Sequence, residues 1–236
     1  MLPALQAQPA PPPQQSQQQP PPSLTQILTT FSNEAVTHQS AFLQALANQR
    51  QCRGTDLDVA YFAGWYGLIG LLDAWSRFCR DIIIMSAVGG ATTRTGTQLN
   101  RAKNLPAGVD PLVHIRSLWP SKGYGRCFED GPYWHVPTNS AKAAQILAIG
   151  NEATVSGALL AQASAPTELR ACRNYLAHRN PSTETHRDIQ DLRTRISVPV
   201  ATVHTEKLAE QLVTGGITLF QAWCSELQNI ASAAIA

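Results

Sequence analysis

An all-α fold is what this sequence predicts, and three properties predict it. Apolar residues recur at alternating steps of three and four over long stretches, which is the spacing of one helical face. Ala, Leu, Gln and Thr are abundant while aromatic residues make up only 7%, a mixture better suited to helices packed on helices than to a β-sandwich. Gly or Pro punctuates the chain where the periodicity stops. With 44% hydrophobic residues, 236 positions can bury a sizeable core in one domain. The expected architecture is a bundle of about four to five main helices interrupted by one long irregular insertion.

Residues 1–22 carry a Gln/Pro-rich run, PAPPPQQSQQQPPP, whose composition supplies no packed face and predicts a disordered tail. Its polyproline stretch also suits docking by a partner domain. The globular domain is expected over 23–236. Ser23 is a helix cap, and Leu24, Leu28, Phe31, Ala35, His38, Phe42 and Ala45 follow on one face of a long amphipathic helix. His38 on that seam reads as a core histidine rather than a ligand.

After Gly54 and Thr55, the stretch from Asp56 to about Ser86 predicts a second helix, apolar all round in its middle and therefore central. Its apolar run from Val59 to Leu72 is fourteen residues and ends at Asp73, short of the roughly 20 needed to span a bilayer. Gly64, Gly67 and Gly70 recur every third residue and permit close approach of another helix, in the same chain or across a dimer.

Gly89-Gly90 closes that helix, and about 91–139 reads as an irregular insertion with helical turns around Val113 to Leu118. Six cations, Arg94, Arg101, Lys103, Arg116, Lys122 and Arg126, lie between Ala91 and Cys127 against one acid, Asp110. That excess suits phosphate, or else a solvated surface. The segment Trp119-Pro120 to Trp134-His135 interleaves Tyr124, Phe128 and Tyr133 with Lys122 and Arg126, a composition fit either to stack unpaired bases or to anchor a long connection. Helical spacing returns from Ser140 to Ala163, then over Thr167 to about Arg179, where Asn180-Pro181 ends it, and finally from about Thr205 to Ile230 with a bend at Gly215-Gly216.

Five scattered cysteines without a CxxC pair suggest neither a disulfide framework nor a zinc site, and they read as small apolar residues in a reducing compartment. No basic n-region precedes an apolar core at the N-terminus, so a cytoplasmic protein without a membrane segment is expected. No phosphate-binding glycine loop, HExxH zinc motif or GxSxG elbow is present.

The chemistry-bearing stretch is Arg173-Asn174-Tyr175-Leu176-Ala177-His178. It sets a fixed cation, an amide and a titratable imidazole on one predicted helix, with Asn174 and His178 four apart on one face. A second pair, Arg179 and His186, has six residues between its members, but Pro181 breaks any helix that would fix their geometry. RNA is cleaved without metal when its 2′-oxygen attacks the adjacent phosphate, given a base, an acid and a cation to offset the growing charge. Histidine serves as base or acid, and arginine remains charged. Against this stands a structural role, with Arg173 paired to a carboxylate and His178 capping a helix C-terminus.

RNYLAH resembles the Arg-x4-6-His motif of the HEPN superfamily, helical proteins that include many metal-independent ribonucleases of prokaryotic conflict systems. Asn174 matches the polar residue several branches prefer after the arginine. The likeness is strong over about a dozen residues and extends to 23–236 in outline: long helices first, the motif on a late helix, one closing helix. It implies a metal-independent endoribonuclease with no cofactor, Arg173 and His178 catalytic and Asn174 supporting; by their charge, Arg170 and Arg179 beside the motif and Lys122 and Arg126 of the aromatic segment are the expected RNA contacts. Because one motif supplies one imidazole, it also implies a homodimer that joins two motifs in one cleft, acting as a toxin or phage-defence effector under an antitoxin or sensor protein. In HEPN toxins paired with nucleotidyltransferase antitoxins, a tyrosine stands second after the histidine; here Asn180 does, so regulation by tyrosine modification is not expected. A non-catalytic RNA- or nucleotide-binding module and a helical protein-interaction domain are the alternatives from other classes.

Overall fold

The computed structural model describes residues 23–51, 55–161, 164–177, 182–197, 205–213 and 215–236. The tail expected over 1–22 lies outside them, as do His178 and Arg179. The described chain is mostly helical, as predicted: α1 (Leu24–Gln49), α2 (Thr55–Val88), α3 (Pro111–Leu118), α4 (Pro137–Leu147), α5 (Glu152–Leu160), α6 (Ala165–Ala177), α7 (Thr183–Arg195) and α8 (Leu219–Ala234). A two-stranded hairpin, β1 (Cys127–Phe128) against β2 (Gly131–Pro132), is its one sheet among the described residues.

Helix α1 begins where its cap chemistry dictates. The Ser23 hydroxyl accepts from Gln26 N, and Gln26 Oε1 accepts from Ser23 N at 2.7 Å, so two end donors are satisfied reciprocally. Helix α2 returns antiparallel beside α1 and is the central helix, with Leu68, Leu71, Trp75, Phe78, Ile82 and Ile83 buried. The glycine repeat faces α1 within the chain. A Cβ on Gly67 would stand 3.3 Å from both His38 O and Phe42 Cβ, and one on Gly70 would overlap the His38 ring. His38 is therefore a packing residue on the seam, and burial lowers its pKa. The closing helix α8 completes the core through Trp223, Leu227 and Phe220, whose ring stacks on Phe42 of α1 at 4.3 Å.

Three expectations need correction, and together they raise the helix number above the expected four to five. The helix predicted from Ser140 to Ala163 is two, α4 and α5, because Ala148 adopts a left-handed conformation (φ 52°) and caps α4 through its N–H to Ala144 and Gln145 carbonyls. The final helix predicted from Thr205 is a 3₁₀ turn, Thr205–Glu210, then a bridge between Leu212 and Thr218, and only then α8, which Thr218 caps. Helix α7 follows the motif, capped by Ser182, where no helix was expected. The insertion is also less loose than its composition implies. Leu99, Ala102, Leu105, Ile115 and Trp134 are buried, and Arg94 N donates to Ile235 O at 2.8 Å, tying the insertion to the end of α8.

Candidate functional site

Helix α6 carries Arg173 to Ala177 of the motif, and its orientation is fixed from the buried side. Glu168, 7% exposed, accepts from Trp223 Nε1 at 2.7 Å and from Arg195 Nε at 2.6 Å, joining α6 to α8 and α7. Ala165 N donates to Glu226 Oε1 at 2.8 Å, so a side chain of α8 caps the first turn. Leu169, Ala171 and Cys172 face the core, which leaves Arg170, Arg173 and Asn174 partly open on the other side at helical spacing.

These three residues line a cleft of about 390 Å³ together with Leu72 and Asp73 of α2 and Tyr133, His135 and Val136 of the chain leading into α4. Arg173 Nη1 donates to Asn174 Oδ1 at 3.2 Å, and Arg173 pairs with no carboxylate among the described residues. The amide thus holds the guanidinium without neutralising it. Arg170 is more committed: it donates to Asp188 Oδ2 at 3.3 Å and Glu184 Oε1 at 3.4 Å on α7. Glu168 is an anchor of the helix and Glu184 is the partner of Arg170, so neither carboxylate meets Arg173.

His135 is the residue that sequence reasoning missed. A rigid local structure presents it. The β1–β2 hairpin packs under Trp134, whose ring lies where a Cβ on Gly131 would fall and whose indole N–H donates to Asp130 O at 2.9 Å. Ser140 of α4 donates its hydroxyl to Trp134 O at 2.7 Å, and Val136 N donates to Tyr133 O, which turns the chain into α4. The imidazole tilts against the Tyr133 ring at 5.7 Å. Burial, with the Arg170 and Arg173 charges acting in the same sense, pushes its pKa down to about 4, so at neutral pH the ring is an uncharged base. The available signal was a histidine at the end of an aromatic-rich segment. Asp73, the charge that ends the apolar run of α2, was legible as a breaker and is here a wall of the cleft.

A second cavity of about 670 Å³ adjoins the cleft and shares Tyr133, Val136 and Arg170 with it; Tyr124 lines its far side. Tyr124 also borders a third cavity, of about 320 Å³, with Arg116, Trp119 and Arg126. The aromatic segment therefore divides its labour. Trp134 is a buried anchor and Trp119 is held by its N–H to Gly125 O at 2.8 Å, while Tyr124 and Tyr133 remain partly exposed. Lys142 of α4 lies 5.9 Å over the Tyr124 ring, a further cation at this surface.

The predicted RNA contacts separate accordingly. Arg170 lines the cleft and Arg126 the third cavity, whereas Lys122 is exposed and lines none of these. Of the other insertion cations, Arg94 is tied to Ser232 at 2.7 Å and Arg101 to Pro106 O at 2.8 Å, so the basic excess does not act as one patch. Of the second Arg/His pair, Arg179 lies outside the described residues, and His186 stands on α7, where it meets the Tyr175 ring edge-on at 6.0 Å. Among the described residues, no cluster of three His, Cys, Asp or Glu side chains converges as a metal site, and no helix is long and apolar enough to cross a membrane. Compared with protein-family models, curated proteins and solved structures, the chain matches none.

Proposed function

We propose that the chain is a HEPN-like, metal-independent endoribonuclease that cuts single-stranded RNA at the α6 cleft. One observation carries this: Arg173, held by Asn174 and ion-paired with no carboxylate among the described residues, opens onto a cleft that it shares with Asp73, beside exposed Tyr133 and the Tyr124 cavity. A guanidinium aimed into such a space suits a phosphodiester, and the flanking rings suit unpaired bases. Arg173 stabilises the charge that grows on phosphorus-bound oxygen, Asn174 orients the guanidinium, and His178 of the motif transfers a proton. Arg170 contributes to the field, partly offset by α7, and Arg126 holds the strand further along.

A two-fold dimer that joins two motif helices would add a second His178 to the site. In the cell, such a nuclease would act in the cytoplasm as a toxin or antiviral effector under an antitoxin or sensor protein. The test is direct. Purified protein should cut a single-stranded RNA in EDTA, leaving a 2′,3′-cyclic phosphate or its hydrolysis product. Arg173→Ala should lower kcat by about 10²- to 10³-fold, the usual loss for one charge-stabilising donor. Unchanged cleavage by His178→Ala and Arg173→Ala, with contaminating nuclease excluded, sinks the assignment. Salt-sensitive RNA binding without cleavage would instead mark a binding module.

A further inference from the structure

We infer that the cavity of about 670 Å³ beside the cleft seats an unpaired nucleobase, with the Asn139 side-chain amide hydrogen-bonded to the base edge and the Tyr133 ring against its face. The assignment rests on the ribonuclease reading and deepens it: Arg173 holds a phosphate, and the adjoining cavity takes the base of the same nucleotide. Asn139 is what points to a ligand. It stands in the first turn of α4, is 4% exposed, and lines the cavity. Its backbone N–H donates to Val136 O at 3.0 Å, but its side-chain amide has no hydrogen-bond partner among the described residues. A buried amide with its acceptor and both donors unsatisfied is costly unless an entering group meets it.

The amide and the half-exposed Tyr133 ring meet at one corner of the cavity, and a glycine keeps that corner open. A Cβ added at Gly125, itself part of the lining, would stand 3.1 Å from Tyr133 Cδ2 and 3.7 Å from Asn139 Nδ2. A planar heterocycle entering there meets a π-face and a donor–acceptor pair together, the two means by which proteins hold an unstacked base. The rest of the wall suits a neutral ring better than a phosphate. Val136, Leu159 and Leu160 are apolar, and the one lining cation, Arg170, is paired with Glu184, which also lines the cavity. Across the shared wall of Tyr133, Val136 and Arg170 lies the cleft, where Arg173 is ion-paired with no carboxylate among the described residues. Charge therefore sorts the nucleotide, its phosphate into the cleft and its base into the cavity. The cavity's volume also falls within the range of small-ligand sites, roughly 300–1,000 Å³.

Calorimetric binding of the four nucleoside 3′-monophosphates to the full chain, with ribose 5-phosphate as the control that lacks a base, tests the seat. At least one nucleotide should bind about 10-fold or more tighter than ribose 5-phosphate, the gain expected of a stacked base. Asn139→Ala should weaken that nucleotide by about 5- to 100-fold, the range for a doubly bonded amide, and leave ribose 5-phosphate unaffected. Gly125→Val, which fills the corner, should act in the same way, whereas Arg173→Gln should weaken both ligands. In the wild type, the NMR resonances of the Asn139 side-chain amide should shift on adding the nucleotide and stay in place with ribose 5-phosphate. This measurement decides the question if the variants fail to fold. Nucleotides that bind no better than ribose 5-phosphate, or an Asn139 amide indifferent to the bound nucleotide, overturn the base seat, while RNA cleavage by the wild type leaves the ribonuclease standing. Base-dependent binding at Asn139 in a protein that cuts no RNA overturns the ribonuclease instead and upholds the seat.

Discussion

Two charged residues on α6, five positions apart, have opposite fates, and the difference is what surrounds each. Glu168 is buried and saturated: the indole N–H of Trp223 and the guanidinium of Arg195 both bond it. Arg173 has only the Asn174 amide. A buried carboxylate bonded this way costs more when removed than an exposed ion pair, because its partners are left unsatisfied. Arg195 is 47% exposed and can find water, so the Trp223 N–H bears most of that cost. Glu168→Ala should therefore destabilise the fold by about 2–3 kcal/mol in urea unfolding at pH 7, whereas Arg173→Ala should change stability by less than about 1 kcal/mol while removing activity. Equal losses of stability from the two variants would contradict this division. The Arg-x4-His spacing was visible in the sequence; that Glu168 anchors rather than neutralises was not, since its partners come from 27 and 55 residues downstream.

At the scale of elements, periodicity identified the helices it could. The Ser23 cap, the α1 seam and the buried middle of α2 all follow from local spacing, and the glycine repeat predicted a close helix approach that α1 supplies. Gly67→Val should test that approach. Its Cβ would already press on the His38 carbonyl and Phe42, backbone and branch point that cannot swing away, and the added methyls should cost about 1–3 kcal/mol. Gly157 on α5 is the control, since nothing lies within 4 Å of an added Cβ; Gly157→Ala should stabilise by about 0.5–1 kcal/mol through helix propensity. Thermal unfolding reads both signs. The breaks were less legible. Nothing in Ala148 announces a left-handed cap, because alanine has no such preference; the conformation is imposed by packing, with Ala143, Ala144, Leu147 and Ile149 all buried around it. Helix α7 has a polar sequence with little apolar periodicity beyond Ile189 and Leu192, and it forms because α6 gives it a surface and partners for Glu184 and Asp188.

Across the whole molecule, burial of His135 in the cleft makes stability depend on pH. The unfolded chain binds a proton at the ordinary histidine pKa of about 6.5, while the folded ring resists protonation down to about 4. Between those values the unfolded state holds more protons, so folding stability is full above about pH 6.5 and falls as pH drops toward 4, by up to about 3 kcal/mol for this one group. His38, its pKa also lowered by burial, acts in the same direction. Urea unfolding at pH 7, 5.5 and 4.5 should show His135→Gln losing less stability than the wild type over that interval; parallel curves would mean the ring titrates normally.

By itself, the sequence determined the all-helical class, the extents of α1 and α2 to within a few residues, and the placing of Arg173 and Asn174 on a late helix. Each depends on neighbours within a few turns, where hydrophobic spacing, caps and breakers act. Tertiary structure alone decided that Asp73, His135 and Arg173, far apart along the chain, share one cleft, and that Glu168 and Glu184 bond Arg195 and Arg170 rather than Arg173. Such encounters depend on how helices pack against one another, and helical periodicity carries no record of which faces will meet.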